Sequence, residues 1–505
     1  MYMYALNIGE LMTHRSYLSP LKEGFIGRKR YSFNDMNARV NKFSTYLKEQ
    51  HISPGERIAL ICKNHEDFIT AFFGAAKIGV ITVAINWRLE AEELRYILAD
   101  CQPSIVLFDQ EFREKVLHVD VDDSISMIEV GIKSFDRLLQ TYQAEEPEFI
   151  SSDDDTTLIM YTSGTTGKPK GAMITHRNLF AASVGMSHTI DWWAQDRFLS
   201  VAPFFHIGGF IPIILNLHNG STTVLMADFD PVAVWSTVEK EKITTMMTIP
   251  VMLQFMLKVF DKIKPNYRSI RNITCGASAV APSLIKAYES LEIPIQQVYG
   301  ITEYTGAISF WKKSMGEQKV DSMGKTVFHS NINIVDMESK QPLQANEIGE
   351  IVCSGPQVFK GYWENEEETN NVLKEKRYFT GDLGKIDEDG FIYVVDRLKD
   401  MIISGGENIY PAEIETVIQR HPDIIEVAVL GEADEKWGEI PKAYIVTKED
   451  SDLTAAAIIE LCKKNLASYK TVKKVEFIDV LPRNGAGKVV KHELKTTRVT
   501  SNTRK

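Results

Sequence analysis

Hydrophobic and polar positions along the chain alternate between two periods. Short apolar runs recur at 57–62 (RIALIC), 104–109 (SIVLFD), 157–162 (TLIMYT) and 222–227 (TTVLMA), each the length of a strand buried on both faces. Between them lie stretches such as DMNARVNKFSTYLKEQ (35–50), whose apolar residues return at helical spacing. Strand and helix patterns in alternation predict an α/β architecture with largely parallel sheets and packed helices. The longest apolar stretch, Ala71 to Trp87, is broken by Lys77 and contains Gly74 and Gly79. It reads as a buried helix followed by a strand rather than a membrane span.

The pattern changes near residue 398. YFTGDLGKIDEDGFIYVVDR (378–397) reads as a hairpin around the DEDG turn at 387–390. SGGENIYPAEIETVIQRHP (404–422) follows, with Pro411 suited to a helix start and Pro422 lying beyond its end. VAVLGEADE reads as a strand and loop, AYIVTKED as a strand, Thr454 to Ala467 as a helix and KVEFIDVLP as a last strand. The segment RLKDM (397–401) marks the expected boundary, giving a large N-terminal domain over 1–398 and a small α+β domain over 399–505.

Length and charge refine this picture. A chain of 505 residues exceeds one ordinary core, and 44% hydrophobic with 25% charged residues is a globular composition. The net charge of -11 argues against nucleic acid as a partner. From Lys463 onward, however, twelve Lys and Arg face three acidic residues, a net +9 that leaves -20 on the rest. That basic end suits an anionic ligand, although a solvated lysine-rich surface explains it too. The five cysteines are scattered without CxxC spacing, which fits a reducing, cytoplasmic setting and offers neither a zinc site nor a disulfide framework. MYMYALNIGELMTHR contains Glu10 and lacks an uninterrupted apolar core, so it is not expected to be a signal peptide.

The densest chemistry lies in Tyr161-Thr-Ser-Gly-Thr-Thr-Gly-Lys-Pro-Lys-Gly171, which leaves the end of a predicted strand. Gly164 and Gly167 permit a tight turn that presents backbone N–H groups. Thr162, Ser163, Thr165, Thr166, Lys168 and Lys170 add hydroxyls and positive charge. The inventory suits a nucleoside triphosphate, yet the GxxxxGK[ST] spacing is absent and Pro169 follows the first lysine. Gln297-Val-Tyr-Gly-Ile-Thr-Glu303 sets a hydroxyl beside a carboxylate after a bend. A carboxylate next to a triphosphate calls for an intervening cation such as Mg²⁺. Pro203-Phe-Phe-His-Ile-Gly-Gly209 holds a histidine in apolar company, commonly just a satisfied core residue, and Asp382 with Arg397 is compatible with an ordinary surface ion pair.

These motifs, in this order and across nearly the whole chain, resemble those of the adenylate-forming (AMP-binding) superfamily, and most of all its bacterial acyl-CoA synthetases. The resemblance implies a small β-barrel-like subdomain and a mobile C-terminal domain. It also implies ATP, Mg²⁺ and coenzyme A, with adenylation of a carboxylic acid followed by transfer to the CoA thiol. The loop from Thr162 to Lys170 would take the triphosphate. Tyr299, Gly300, Gly276 and Ala277 would border the adenosine. Thr302 would contact phosphate, Glu303 would hold Mg²⁺, and Asp382 with Arg397 would take the ribose. His206 would lie at the acyl site. An Asp is usual near that histidine when amino acids are the substrate, and Phe205-His206 supplies none. Cys275 stands where Gly or Ser is more usual, and no base partner marks it as catalytic. Lys399 would be the hinge, Ser404, Gly405, Gly406 and Glu407 would line the CoA tunnel, and Lys488 in Gly485-Ala-Gly-Lys488 would be the adenylation lysine.

A medium- or long-chain fatty acid is the expected substrate. An aryl acid of the succinylbenzoate or cinnamate kind is the alternative, as is a stand-alone enzyme that loads an acyl carrier protein. A regulatory ATP-binding protein that has lost catalysis is disfavoured, because both Glu303 and Lys488 are present. Luciferase-like oxidation suits the fold, but nothing in the sequence requires it. Homodimer formation and contact of the basic tail with anionic lipid stay open.

Overall fold

A computed structural model describes residues 6–119, 125–131, 133–163, 168–278, 280–405, 407–449, 451–483 and 489–496. The chain divides into two units, one of residues 1–332 with 353–379 and one of residues 333–352 with 380–505. The second unit thus draws on strands from both sides of a return into the first.

Two sheets organise the first unit. One has seven strands in the order Gly361–Tyr362, Pro169–Thr175, Thr156–Ser163, Ile81–Ala84, Arg57–Ile61, Ile105–Asp109 and Ser126–Val130. Its last five strands run parallel, and the first two join antiparallel. The other has nine strands, with a parallel interior that includes Thr245–Thr248, Asn272–Cys275 and Ile295–Ile301. Strand Gly306–Trp311 turns back antiparallel on Ile295–Ile301. The expected parallel-rich α/β architecture is therefore the observed one.

Local chemistry accounts for the elements near the motifs. Helix Phe33–Glu49 starts at a capping box between Ser32 and Asp35, and helix His176–Thr189 at one between Thr175 and Asn178. Helix Glu66–Lys77 is buried along its whole length and leads to strand Ile81–Ala84, as the stretch from Ala71 to Trp87 predicts. Lys77 is fully buried there and bonds to Thr13, Asn37, Asn41 and Glu146. Burial holds its ammonium down at about 8, against the attraction of Glu146. No helix among the described residues is long and apolar enough to cross a membrane.

Strands Asn331–Val335, Gly349–Ser354, Leu373–Lys374, Arg377–Ile386 and Ile392–Arg397 form a small five-stranded sheet, with Arg377–Ile386 antiparallel to both Leu373–Lys374 and Ile392–Arg397. The hairpin around Gly390 is as predicted, with Gly390 at φ +82°. A further sheet holds Ile402–Ser404, Glu407–Ile409, Ile424–Asp434, Gly438–Thr447 and Lys474–Phe477. Helices Pro411–Ile418 and Ala455–Asn465 pack a shared apolar core with it. One detail differs from expectation. GEAD (431–434) does not leave the strand as a loop, because Ile424–Asp434 pairs with Gly438–Thr447 without a break from Glu426 to the tip, Asp434 opposite Gly438. Two long strands joined by a short turn satisfy their backbone groups on each other, while Glu432 pairs with Lys474 and Asp434 accepts from the N–H groups of Lys436 and Trp437.

Candidate nucleotide and acyl site

Thr162 and Glu303 meet although they belong to different sheets. Thr162 lies near the end of strand Thr156–Ser163, and Glu303 lies in the single 3₁₀ turn Thr302–Tyr304 that follows strand Ile295–Ile301. Both strands deliver their motifs at their C-terminal ends, where open α/β sheets bind ligands. The Thr162 hydroxyl donates to Glu303 Oε1 at 3.4 Å, and the Tyr362 hydroxyl donates to the same oxygen at 2.9 Å. Among the described residues no hydrogen bond falls on Oε2. A carboxylate with one oxygen steadied by hydroxyls and the other unengaged has the donor chemistry a hard cation takes.

Lys170 is buried, ion-paired with Glu368 and 5.5 Å from the centroid of the Tyr362 ring. Lys168 is exposed, with its ammonium 5.8 Å from the Tyr96 ring centroid. Tyr161, one residue before Thr162, bonds to Asp100, whose backbone carbonyl accepts from Trp363 Nε1 at 3.3 Å. Burial, then the neighbouring Cys101 and Asp100, push the Tyr161 phenol well above its usual range. Gly164, Thr165, Thr166 and Gly167 lie outside the described residues, as do Gly406, Lys488 and the Ser163 side chain.

On the nine-stranded sheet, Tyr299 and Gly300 are the half-buried end of Ile295–Ile301, paired with Ser309 and Ala307. Gly276 follows strand Asn272–Cys275 so closely that a Cβ would stand 2.6 Å from the Val298 carbonyl oxygen. Ala277 has φ +68°, a left-handed conformation that a non-glycine residue adopts at a cost. Strain of this kind at the mouth of the sheet accords with a position held for ligand contact. Cys275 is buried, and burial pushes its thiol up to about 12, so it is no nucleophile at neutral pH.

His206 is the N-cap of helix Ile207–Asn219, half-buried, with its ring centroid 4.5 Å from that of Phe205. The turn before it is clamped by Asn64, which accepts from the Phe204 N–H at 2.9 Å and donates to the Ala202 carbonyl at 2.8 Å. Asn64 sits within the group Cys62, His65 and Asp109, whose ligand-type atoms lie close together. Hydrogen bonding argues against a metal there. His65 Nδ1 accepts from the Asp67 N–H at 3.2 Å, so Nε2 carries the proton and donates to Asp109 at 2.7 Å. Burial holds the Cys62 thiol well above its usual range. The Asp109 carboxylate also accepts from the Lys63 N–H at 2.8 Å, so the group ties the chain on either side of Asn64 to strand Ile105–Asp109.

The second unit holds the remaining predicted residues. Asp382 is only 4% exposed and pairs at 3.0 Å with Arg397, whose side chain is about half exposed, so the pair joins a buried carboxylate to a surface guanidinium. Gly381 turns at φ +68° before it. Lys399 lies exposed in the 3₁₀ turn Leu398–Asp400. Ser404 and Glu407 pair across the turn that contains Gly405, whose N–H donates to the Trp437 carbonyl at 2.8 Å. The carboxyl of Asp396, beside Arg397, is raised by burial.

Sequence reasoning missed Tyr362, Glu368 and Asn64. Their partners lie 59, 198 and 140 residues away, so no local pattern marks them.

Family models described as AMP-binding enzyme and AMP-binding enzyme C-terminal domain match residues 16–363 and 413–488. The chain is 34% identical over 495 residues to the long-chain-fatty-acid–CoA ligase FadD13 of Mycobacterium tuberculosis, covering 97% of this chain and 98% of that one. It is 35% identical over 465 residues to a feruloyl-CoA synthase of an Amycolatopsis species, covering 92% and 93%. The solved O-succinylbenzoate coenzyme A synthetase of Bacillus subtilis, in complex with ATP and magnesium ion, superimposes with a TM-score of 0.86 at 31% identity, covering 96% and 99%.

Proposed function

The chain belongs to the AMP-binding enzyme family and is an AMP-forming acid–CoA ligase that uses ATP, Mg²⁺ and CoA; from that premise we propose that its acid is a medium- or long-chain fatty acid. The wall beside His206 carries this reading. Ile207, Phe210, Ile211 and Ile214 are buried along helix Ile207–Asn219. A Cβ on Gly208 would meet nothing nearer than Met247 Cε at 3.8 Å, and one on Gly306 nothing nearer than Ile211 Cγ2 at 3.4 Å. Two glycines that open onto apolar side chains suit a tail that is apolar and uncharged. The relative named for long-chain fatty acids supports this reading, and the feruloyl relative keeps an aryl acid as the competitor.

In the proposed chemistry a carboxylate oxygen of the acid attacks the α-phosphorus of ATP. The bond from that phosphorus to its bridging oxygen breaks, and pyrophosphate leaves. Mg²⁺, when bound, offsets negative charge on the triphosphate and the leaving group. Glu303 would hold it beside Thr162, and Thr302 with the loop from Thr162 to Lys168 would take the phosphates, whereas Lys170, expected from its motif to join them, is buried and paired with Glu368. Lys488 would contact the α-phosphate and the acid carboxylate as charge builds. Asp382 with Arg397 would take the ribose, and Tyr299, Gly300, Gly276 and Ala277 the rest of the adenosine. In the second step the CoA thiol, guided by the segment from Ser404 to Glu407, attacks the acyl carbonyl near His206. The bond to AMP breaks, and the thiol proton passes to water. Lys399 is the proposed hinge of a mobile domain over 399–505.

Pyrophosphate release with ATP, Mg²⁺ and CoA across aliphatic, aryl and dicarboxylic acids tests the substrate assignment. Fastest CoA-dependent turnover on an aliphatic acid of eight or more carbons, about one size class around the optimum, is expected. Faster turnover on an aryl acid would overturn it. Lys488→Ala tests the division of labour. It should abolish adenylation and spare thioester formation from supplied acyl-AMP, and equal loss of both would refute the role.

A further inference from the structure

The segment from Ser354 to Thr369 forms a strap under the Glu303 turn, and no motif announces it. The Tyr304 hydroxyl donates to the Ser354 carbonyl at 2.8 Å, the Thr305 hydroxyl to the Gln357 carbonyl at 2.8 Å, and the Phe359 N–H to the Glu303 carbonyl at 2.9 Å. Asn178, at the start of helix His176–Thr189 after strand Pro169–Thr175, donates to the carbonyls of Pro356 and Val358, both at 2.8 Å. The strap then joins the sheet edge. Tyr362 pairs with Ala172, and the Trp363 N–H donates to the Gly171 carbonyl at 2.7 Å. So Tyr362 is bonded into the seven-stranded sheet while its hydroxyl grips a carboxylate that hangs from the nine-stranded one.

Both ends of that grip are fixed. The Tyr362 side chain is buried, its ring 5.0 Å from the Phe359 ring and its backbone N–H bonded to Thr369 Oγ1 at 2.9 Å. Lys170 lies over the ring and is anchored by Glu368, whose N–H is capped by Asn365 at 3.1 Å. With Lys170 already paired, the cation nearest the ring is part of the scaffold. We propose that Tyr362 is a positioning residue that aims the Glu303 carboxylate at the nucleotide-bound cation, and that Glu368 holds Lys170 to lock the Tyr362 ring in that task. The bond to Oε1 fixes the rotamer of Glu303 and leaves Oε2 for the cation. Residues that orient a metal ligand from behind tune its affinity without touching the metal.

This inference rests on the reading of Glu303 as the cation's ligand, and the test separates the two. Tyr362→Phe keeps the ring, its packing and the Lys170 contact, and removes only the hydroxyl. The measurements are Mg²⁺ titration of pyrophosphate release at fixed ATP, and Mn²⁺ binding in the presence of ATP followed by electron paramagnetic resonance, which needs no turnover. In Tyr362→Phe the Mg²⁺ midpoint and the Mn²⁺ dissociation constant should rise about tenfold, while the KM values for acid and CoA stay within about twofold. Glu368→Gln should move the same two quantities in the same direction by a smaller factor. An unchanged midpoint and dissociation constant in Tyr362→Phe would overturn the inference. So would a parallel rise in every KM, which a loss of general structure would give. If Glu303→Gln itself leaves Mn²⁺ binding unchanged, the reading of Glu303 falls and the inference falls with it. If Glu303→Gln weakens Mn²⁺ binding and Tyr362→Phe does not, only the inference falls.

Discussion

The surroundings of Glu303 and of His206 solve the same problem, the placing of one polar side chain at the end of a sheet, by opposite means. Around Glu303 the fixing is directional: Thr162 and Tyr362 bond to the carboxylate, and Glu368 pairs with Lys170 behind them. Around His206 the fixing is more steric. The turn that carries it is held by two bonds to Asn64 and by its own backbone hydrogen bonds, and the wall beside it is built of apolar side chains and close backbone contacts. A site held by directed bonds is sensitive to changes of charge and donor at constant shape. A site held by volume is sensitive to changes of shape at constant chemistry.

The sharpest contrast comes from exchanging the kind of insult. Glu303→Gln preserves shape and removes charge, and pyrophosphate release should fall on the order of 10³-fold, the scale of losing a preorganised electrostatic contact. Ile211→Val removes one methyl group from the apolar wall and should change kcat/KM for the best acid by less than about tenfold. Steady-state kinetics on the two variants decides the matter, and equal losses would erase the distinction.

The two regions differ in how much of them the sequence reveals. The glycine- and hydroxyl-rich loop and the Thr302-Glu303 pair stand out as candidates because one short segment contains all the groups a triphosphate calls for; Gly164 to Gly167 lie outside the described residues. The parallel-rich fold is legible for the same reason, since each strand and helix announces itself by its own period. What is hidden is pairing across long separations. Tyr362 is unremarkable until strand Gly361–Tyr362 joins the edge of Pro169–Thr175, and nothing near Asp109 tells of His65. The hairpin Ile424–Asp434 with Gly438–Thr447 was half legible, because its polar tip imitates a loop.

Two histidines outside both regions, His176 buried and His218 half-buried, set the pH range over which the comparison can be made. His176 follows strand Pro169–Thr175, and its Nδ1 accepts from the Ile8 N–H at 3.0 Å. His218 lies in the last turn of the helix after His206 and bonds to Ser183. Burial holds both imidazoles down, from 6.5 to about 4, and nearby Arg15 adds to the effect at His218. The unfolded chain therefore takes up these protons first. The native state has its full stability from them above pH 6.5 and loses it as pH falls towards 4, by about 3 kcal/mol for each histidine at the lower limit. Urea denaturation between pH 7 and 4 should show this slope, and His176→Gln should flatten it. A slope unaltered by that substitution would place the acid sensitivity elsewhere.

The smallest effects bear most directly on substrate choice, and they come from adjacent glycines. A Cβ on Gly209 would stand 2.1 Å from the Pro203 carbonyl oxygen and 2.5 Å from that of Ala202. Both atoms are backbone in the turn leading to His206, so neither can step aside as a side-chain tip would. Gly209→Ala should therefore destabilise the protein by about 1–3 kcal/mol and displace His206, lowering activity on every acid alike. Gly208→Ala meets nothing nearer than Met247 Cε at 3.8 Å, an ordinary van der Waals distance. Its added methyl enters open space rather than backbone, so thermal unfolding should move little while turnover shifts towards shorter or thinner acids, by about 1 kcal/mol between neighbouring chain lengths. The discriminating measurement is the ratio of kcat/KM for a long and a short acid in the two variants. A ratio that moves in Gly208→Ala and stays fixed in Gly209→Ala means that the open space over Met247 is where the acyl chain runs. A ratio that stays fixed in both means that the chain takes another path and that the apolar wall serves only to support the His206 turn.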